Sequence, residues 1–141
     1  MKPSRFGFAV GCLLLALSRS SYAVLDEFEG KWRNADEKTS GLTTLEISLA
    51  GDHVKVHAWG RCHPTDCDWQ SVDATAFARH VRSALPRDAQ TLLAVFKTSF
   101  SESILVIDAA EWGKLRVELL TRFTDQSGRS AYSAIYTFSR Q

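Results

Sequence analysis

The amino-acid sequence predicts an all-β protein: an eight-stranded antiparallel up-and-down (meander) barrel that follows an N-terminal signal peptide. Three observations support this prediction. Eight short segments alternate apolar with polar residues, their connections are mostly short, and no segment has the period of a long helix. Short connections join antiparallel neighbours, and eight such strands remove their exposed edges best by closing the sheet on itself.

The clearest element is a hairpin formed by residues 42–49 and 53–59. Both segments alternate apolar with polar residues, and the Ala-Gly-Asp sequence between them is typical of a tight turn. The predicted fourth strand, residues 69–79, is rich in alanine, so a helix over residues 72–81 is an alternative there. The other predicted strands are residues 30–34, 91–97, 104–108, 115–123 and 131–138, with polar connections at residues 82–89 and 98–103.

The N-terminus has the layout of a secretory signal peptide. A short basic segment precedes an apolar run over residues 6–17, and Ser21 and Ala23 fit the −3 and −1 positions of a cleavage site. The apolar run is too short to span a bilayer. We therefore expect residues 1–23 to be removed. Residues 24–141 then form one β-barrel domain of a periplasmic or secreted protein, with no transmembrane segment in the mature chain.

The three cysteines have different expected fates. Cys12 lies in the signal peptide; a lipobox at residues 9–12 would make it a lipidation site, but three leucines follow it and would place the apolar core after the cut. Cys62 and Cys67 remain after export, and an oxidising compartment makes a disulfide between them the expected state. The loop is so short that this bond contributes only about 2 kcal/mol in the chain-entropy model. It is expected mainly to shape the loop.

The charge of the mature chain excludes nucleic acid and anionic membranes as partners. Three of the 17 basic residues leave with the signal peptide, so the mature chain carries 14 basic against 16 acidic residues, a formal charge of −2. Both kinds of partner need concentrated positive charge, and no run of like charges occurs in the sequence. Because no glycine-rich phosphate loop occurs either, we expect no cofactor.

Two stretches resemble known proteins. Gly30-x-Trp32 at the start of the first strand, followed by Asn34 and a meander of eight strands, resembles the calycin superfamily of lipocalins and avidin-like proteins. The resemblance implies that Trp32 plugs one end of the barrel. Residues 59–69, a Pro-containing loop with a tryptophan at each end, are similar to a run found in small exported bacterial proteins of unassigned role. Because lipocalins have an N-terminal helix and lack this loop, the carriage of hydrophobic ligands does not simply transfer.

The candidate binding residues are aromatic and loop polar side chains. Tryptophan and tyrosine combine apolar rings with N–H or O–H groups, which suits the lining of a small-ligand pocket, and the alternative is that they form the core and the barrel plug. The polar residues of the cysteine-bounded loop complete the set. The predicted ligand-binding residues are Trp32, Asn34, Trp59, His63, Asp66, Asp68, Trp69, Tyr132 and Tyr136.

Metal binding and catalysis are weaker hypotheses for the same loop. Cys62, His63, Asp66, Cys67, Asp68 and nearby His57 are competent ligand types. However, Cys-x4-Cys is not a common zinc spacing, and oxidation would remove both sulfur ligands, so we expect no metal. Asp66 and Asp68 could act as acid and base, yet acids in a tight loop more often accept backbone N–H bonds. No nucleophile or zinc-protease motif occurs, so we expect no enzyme activity.

These observations lead to one main hypothesis and one alternative. The main hypothesis is a non-enzymatic exported or periplasmic binding protein that holds a small ligand or partner at the open end of a small barrel. The alternative is a periplasmic protein inhibitor or interaction protein that acts through the disulfide-braced loop from Trp59 to Trp69, because a preorganised loop loses less entropy on binding. The expected partner is a small molecule or another envelope protein.

Overall fold

The structure is a computed structural model that describes residues 24–51, 53–85 and 87–141. In these ranges eight antiparallel strands form a closed barrel in which each strand pairs with the next and the last pairs with the first. This confirms the predicted fold class. The predicted signal peptide, its cleavage site and Cys12 lie outside the described residues. The strands are β1 Gly30–Asn34, β2 Leu42–Ala50, β3 His53–Gly60, β4 Cys67–Ala78, β5 Ala89–Lys97, β6 Ser101–Ala110, β7 Lys114–Phe123 and β8 Tyr132–Arg140.

The alanine-rich segment is a strand, and the helical alternative for residues 72–81 is wrong. β4 pairs with β3 on one side and with β5 on the other, so its backbone groups are satisfied by the sheet. Its inward side chains, Val72, Ala74 and Ala76, pack against the core. Tertiary pairing therefore outweighs the low strand preference of alanine.

The predicted connection at residues 98–103 is also partly wrong, because β6 begins at Ser101. Thr98 closes the turn: its hydroxyl oxygen accepts hydrogen bonds from the backbone N–H groups of Phe100 and Ser101. Ser103 points into the barrel, where its hydroxyl lies 2.8 Å from that of Thr121 on β7. These hydroxyl groups satisfy one another, which allows a serine-rich segment to occupy inward positions of a strand.

The interior of the barrel is filled by apolar side chains that alternate with outward polar ones. The buried apolar residues of the core have relative exposures of 0–4%, whereas the inward side chains of β4 are only partly buried. No buried side-chain nitrogen or oxygen of the described residues lacks a hydrogen-bond partner. The core of the strands consists of Trp32, Leu42, Leu45, Ile47, Val54, Val56, Ala58, Ala89, Leu92, Ala94, Phe96, Leu105, Ile107, Leu115, Val117, Leu119 and Phe138.

One end of the barrel is closed by the segment that precedes β1. A 3-10 turn at Val24–Glu27 leads into the barrel, and Leu25 and Phe28 are buried. The Trp32 ring is buried inside this end, and its Nε1–H donates to the carbonyl oxygen of Phe28 at 2.9 Å. We call this the closed end. Trp32 therefore occupies the plug position that the resemblance to calycins implies.

Arg140, at the end of β8, joins the first and last parts of the chain at the closed end. Its guanidinium carbon lies 4.3 Å from the centre of the Trp32 ring, which is a cation–π contact. It donates to the carbonyl oxygens of Glu27, at 2.7 Å, and Glu29. One side chain thus connects the 3-10 turn, β1 and β8 at the point where the sheet closes.

Replacing Trp32 by phenylalanine is expected to destabilise the protein by roughly 1–3 kcal/mol, because it removes the indole N–H bond and leaves space in the closed end. Equilibrium unfolding in urea would measure the change. Trp112→Phe is the matched control: Trp112 is 91% exposed, and its replacement should change the free energy of unfolding by less than about 0.5 kcal/mol. Equal effects of the two substitutions would contradict the plug role.

The open end as candidate functional site

The end of the barrel opposite the 3-10 turn is formed by four connections. Residues 35–41 join β1 to β2, residues 61–66 join β3 to β4, residues 98–100 join β5 to β6, and residues 124–131 join β7 to β8. We call this the open end. Most of the predicted binding residues lie on or next to these connections, so this end is the candidate site.

The central connection is closed by a disulfide between Cys62 and Cys67, as the sequence predicts. The two Cα atoms are 5.4 Å apart, within the range that a disulfide requires. β3 ends at Gly60 and β4 begins at Cys67 itself, so the bond clasps the loop where the two strands separate. We call residues 61–66 the clasped loop.

The clasped loop is also tied to the neighbouring 35–41 connection. Arg61 donates from Nη2 to the carbonyl oxygen of Glu37 at 2.8 Å and from Nε to that of Thr39 at 3.2 Å. At the other end of the loop, the Asp66 carboxylate accepts a 2.6 Å hydrogen bond from the Thr43 hydroxyl. Asp66 therefore braces the loop, and its bond to Thr43 leaves less of its carboxylate available to a ligand.

A polar cleft of about 250 Å³ lies between the clasped loop and the 35–41 connection. Asn34 forms part of its floor, and its role there is structural. Its side-chain amide donates to the Leu42 carbonyl oxygen at 2.7 Å, and its Oδ1 accepts from the backbone N–H of Asp36 at 2.8 Å. The residues that line this cleft are Arg33, Asn34, Asp36, Glu37, Thr39, Thr43, Arg61 and Asp66.

Two charged groups in the cleft are not engaged by the fold. The guanidinium group of Arg33 and the carboxylate of Glu37 are exposed and have no side-chain partner among the described residues. Sequence reasoning misses both residues, and also Arg61. They stand beside a predicted strand end and in a polar turn, where a charged residue is usually an ordinary surface residue. Only the approach of the two connections makes them neighbours of one cleft.

Trp59 and Asp68 lie on the outside of the barrel, so Trp59 does not line an interior cavity. The Trp59 ring stacks on His57 with the ring centres 3.9 Å apart and the planes 7° from parallel. His57 Nε2 lies 2.5 Å from Asp68 Oδ1, which also accepts from the backbone N–H of Gln70 at 2.7 Å. The Gln70 bond, followed by the bond to His57, lowers the pKa of Asp68 below its ordinary value.

Trp69 packs against the inward side of the sheet, unlike Trp59. Its ring meets that of Phe96 edge-on, with 5.7 Å between centres. A Cβ atom on Gly60 would lie only 2.9 Å from the indole nitrogen of Trp69, so the close approach needs glycine there. The pairing of β3 with β4 shifts register between His57 and Trp59, which places the two tryptophans on different faces.

The two tyrosines of β8 point inward at the open end. The Tyr136 hydroxyl lies against the backbone of Gly41 and Leu42. Burial raises the pKa of Tyr136 above its ordinary value; the charge of Tyr132 adds to this, and a backbone bond from Leu42 opposes it. Tyr132 is at the rim and is 50% exposed. Tyr136 also lines a neighbouring hollow of about 470 Å³ that shares Asn34 with the cleft.

The predicted binding residues are therefore brought together only in part. Asn34 and Asp66 share the cleft, and Tyr136 lies beside it. His63 is exposed at the tip of the clasped loop, with no hydrogen-bond partner among the described residues. Trp32 is buried at the closed end.

The metal hypothesis loses its strongest ligands in this arrangement. Cys62 and Cys67 bond each other, so neither supplies a thiolate. His57 is paired with Asp68 on the outer surface. In the part of the chain that the structure describes, no group of three or more histidine, cysteine, aspartate or glutamate side chains is arranged to hold a metal ion.

Comparisons with known proteins add little to this geometry. No family model matches the chain. No curated protein matches it either. Among solved structures, the crystal structure of a mutant of the fluorescent protein UnaG is similar at 18% sequence identity and a TM-score of 0.34, over 83% of this chain and 98% of that one. A likeness this distant carries no conclusion about function, and the barrel is established by its own strand pairing.

Removing the disulfide by the paired substitutions Cys62→Ser and Cys67→Ser is expected to cost about 2 kcal/mol of stability while leaving the barrel folded, because the closed loop is short and the core lies elsewhere. Circular dichroism and urea unfolding would measure the two effects. A titration of the unfolded, unreduced mature protein should find no free thiol, and one free thiol or more would contradict the pairing.

Proposed function

We propose that this chain is a non-enzymatic exported binding protein that holds a small polar ligand in the cleft at the open end of its barrel. The observation that carries the proposal is the pair of opposite charges, Arg33 and Glu37, left unengaged in a cleft whose other polar groups hold its walls in place. Because hydrogen bonds already hold the walls of the cleft, the walls lose little conformational entropy when a ligand binds.

The cleft suits a small molecule that carries both charges. Its volume of about 250 Å³ is below the range of roughly 300–1,000 Å³ that is typical of sites for drug-sized ligands. Arg33 can pair with a carboxylate, and Glu37 can accept hydrogen bonds from an ammonium group. An amino acid or a dipeptide has both groups, and we take this chemical class as the proposed ligand.

The filled interior supports the cleft over the lumen as the binding place. An eight-stranded barrel is just wide enough either to be packed by side chains or to hold one small ligand. Here most inward side chains are buried against one another, and those of β4 pack against this core while remaining partly exposed. This arrangement supports a binding protein that uses the rim, and it weighs against deep carriage of an apolar ligand.

Two observations support an exported location and a non-catalytic role. A structural disulfide such as that between Cys62 and Cys67 persists in oxidising compartments outside the cytosol. The loop carboxylates Asp66 and Asp68 are bonded to different neighbours, Thr43 and His57, and only Asp66 lines the cleft, so they do not share a site as an acid–base pair would.

Binding can be tested by following backbone NMR shifts and melting temperature while amino acids and dipeptides are added. We expect saturable shifts at the cleft and a melting temperature that rises with ligand concentration. Arg33→Gln and Glu37→Gln should each weaken binding by roughly tenfold or more, since each removes one charged contact. The matched control is Lys55→Gln, on the outside of β3. No saturable shift with any probe, or equal weakening by the control, would sink the proposal.

A second candidate function is recognition of another protein by the tip of the clasped loop. The observation that favours it is a run of three exposed residues, His63, Pro64 and Thr65, on a loop held by a disulfide and by the Arg61 and Asp66 contacts. Such a tip presents its side chains at low entropic cost. This is the geometry expected of an inhibitor or interaction protein of the cell envelope.

The double substitution of His63 and Thr65 by alanine tests this candidate, with an envelope extract and the immobilised protein as bait. Loss of a captured protein, with an unchanged melting temperature, is the expected result. Substitutions at Asp66 or Asp68 are unsuitable because both carboxylates hold the loop or its flank in place. Thr124→Ala, on another connection of the same end, is the control, and unchanged capture by the double variant would count against this role.

A further inference from the structure

The outer surface of the barrel carries an apolar patch on β5 to β8. The outward side chains of β2 and β3 are mostly polar. On β5 to β8, six outward apolar side chains form two adjacent rows across the paired strands. The first row contains Val95, Ile104 and Leu120, and the second contains Leu93, Val106 and Ile135. We call these six residues the apolar face.

The apolar face is open to solvent at its most prominent points. Leu120 is 40% exposed and Ile135 is 60% exposed. Contiguous outward apolar groups of this kind are uncommon on the surface of a protein that has no partner, and a rim of polar residues around them marks an interaction site.

Ion pairs border the apolar face on both sides. Toward the open end, Glu102 on β6 pairs with Arg122 on β7 at 2.9 Å and with Lys97 on β5 at 3.3 Å. The bond from Arg122, followed by that from Lys97, lowers the pKa of Glu102 below its ordinary value. Toward the closed end, Asp108 on β6 pairs with Arg116 on β7 at 3.6 Å. In both borders the acid is on β6 and its arginine is on β7.

From this pattern we infer that the apolar face is a self-association surface, and that its partner is a second copy of this chain. A two-fold axis parallel to the strands and between β6 and β7 would set β6 of one copy against β7 of the other. Such an interface is isologous, so each surface must complement itself. The charges complement themselves in this way, because each acid on β6 lies opposite an arginine on β7.

Two two-fold axes can lie in the plane of the interface, one parallel and one perpendicular to the strands. The charges favour the parallel axis and oppose the perpendicular one. With the axis parallel to the strands, Glu102 faces Arg122 of the second copy, and Asp108 faces Arg116 of the second copy. With an axis perpendicular to the strands, Glu102 would face Asp108 and Arg122 would face Arg116. Like charges brought together in this way oppose association. The charge pattern thus selects one geometry.

One apolar pair follows the same symmetry. Ile104 and Leu120 are register partners on β6 and β7, so each meets the other across the axis, whereas Val106 meets Glu118. The one charged residue within the rows, Glu118, stays paired with Arg116 of its own chain at 3.4 Å. Because both barrels are convex, contact is centred on β6 and β7, and we expect a weak dimer that forms at high protein concentration. The open end stays free in this dimer.

Sedimentation equilibrium of the purified protein over a wide concentration series would test the dimer. We expect a mass that rises from one chain to two as the concentration increases. Leu120→Lys should raise the dissociation constant by roughly tenfold or more, since it places a charge in the centre of the interface. The control, Ser71→Lys on the polar outside of β4, should leave it unchanged. Thermal melting checks that each variant is folded.

A charge exchange provides a second test that does not depend on Leu120. Arg122→Glu should weaken the dimer, because two carboxylates then face each other across the axis. Combining it with Glu102→Arg and Lys97→Glu restores opposite charges both within each chain and between copies, so the triple variant should dimerise again. A single-chain mass at every concentration, equal weakening by Ser71→Lys, or no recovery in the triple variant would overturn the inference. None of these outcomes bears on ligand binding in the cleft.

Discussion

Closure of the sheet between the first and last strands is the constraint on which the rest of this structure depends. β1 has only five residues, and it pairs with β8 through residues 32–34 opposite residues 138–140. So short a seam offers few backbone hydrogen bonds. Arg140 strengthens it by bonding two carbonyl groups before β1 and covering the Trp32 ring. Since the barrel has no other edges, its integrity rests on this contact between residues far apart in sequence.

The two ends of the barrel use opposite chemistry. The closed end is sealed by buried rings and aliphatic side chains from the segment before β1, and its polar groups serve only to hold those rings. The open end is built from hydrogen bonds between connections, with Arg61 and Asp66 holding one loop against the next. Rigidity at the first end comes from packing. At the second it comes from polar contacts and a disulfide, which leave charged groups facing solvent.

The two proposed binding surfaces lie on different parts of the barrel. The cleft lies next to β1 and β2, whereas the apolar face covers β5 to β8. The two surfaces are separate because they lie on different strands of the sheet and are built from different side chains.

The sequence by itself determined the number and antiparallel order of the strands and the disulfide, because alternation, turn residues and cysteine spacing are local signals that act within a few residues. It could not decide which side of the sheet Trp69 occupies, because a register shift between β3 and β4 sets that. Nor could it single out Arg33, Glu37 or Arg140, since a charged residue has no local pattern that reveals its neighbours. Only the closed sheet, which brings distant connections within hydrogen-bond distance, decided those contacts.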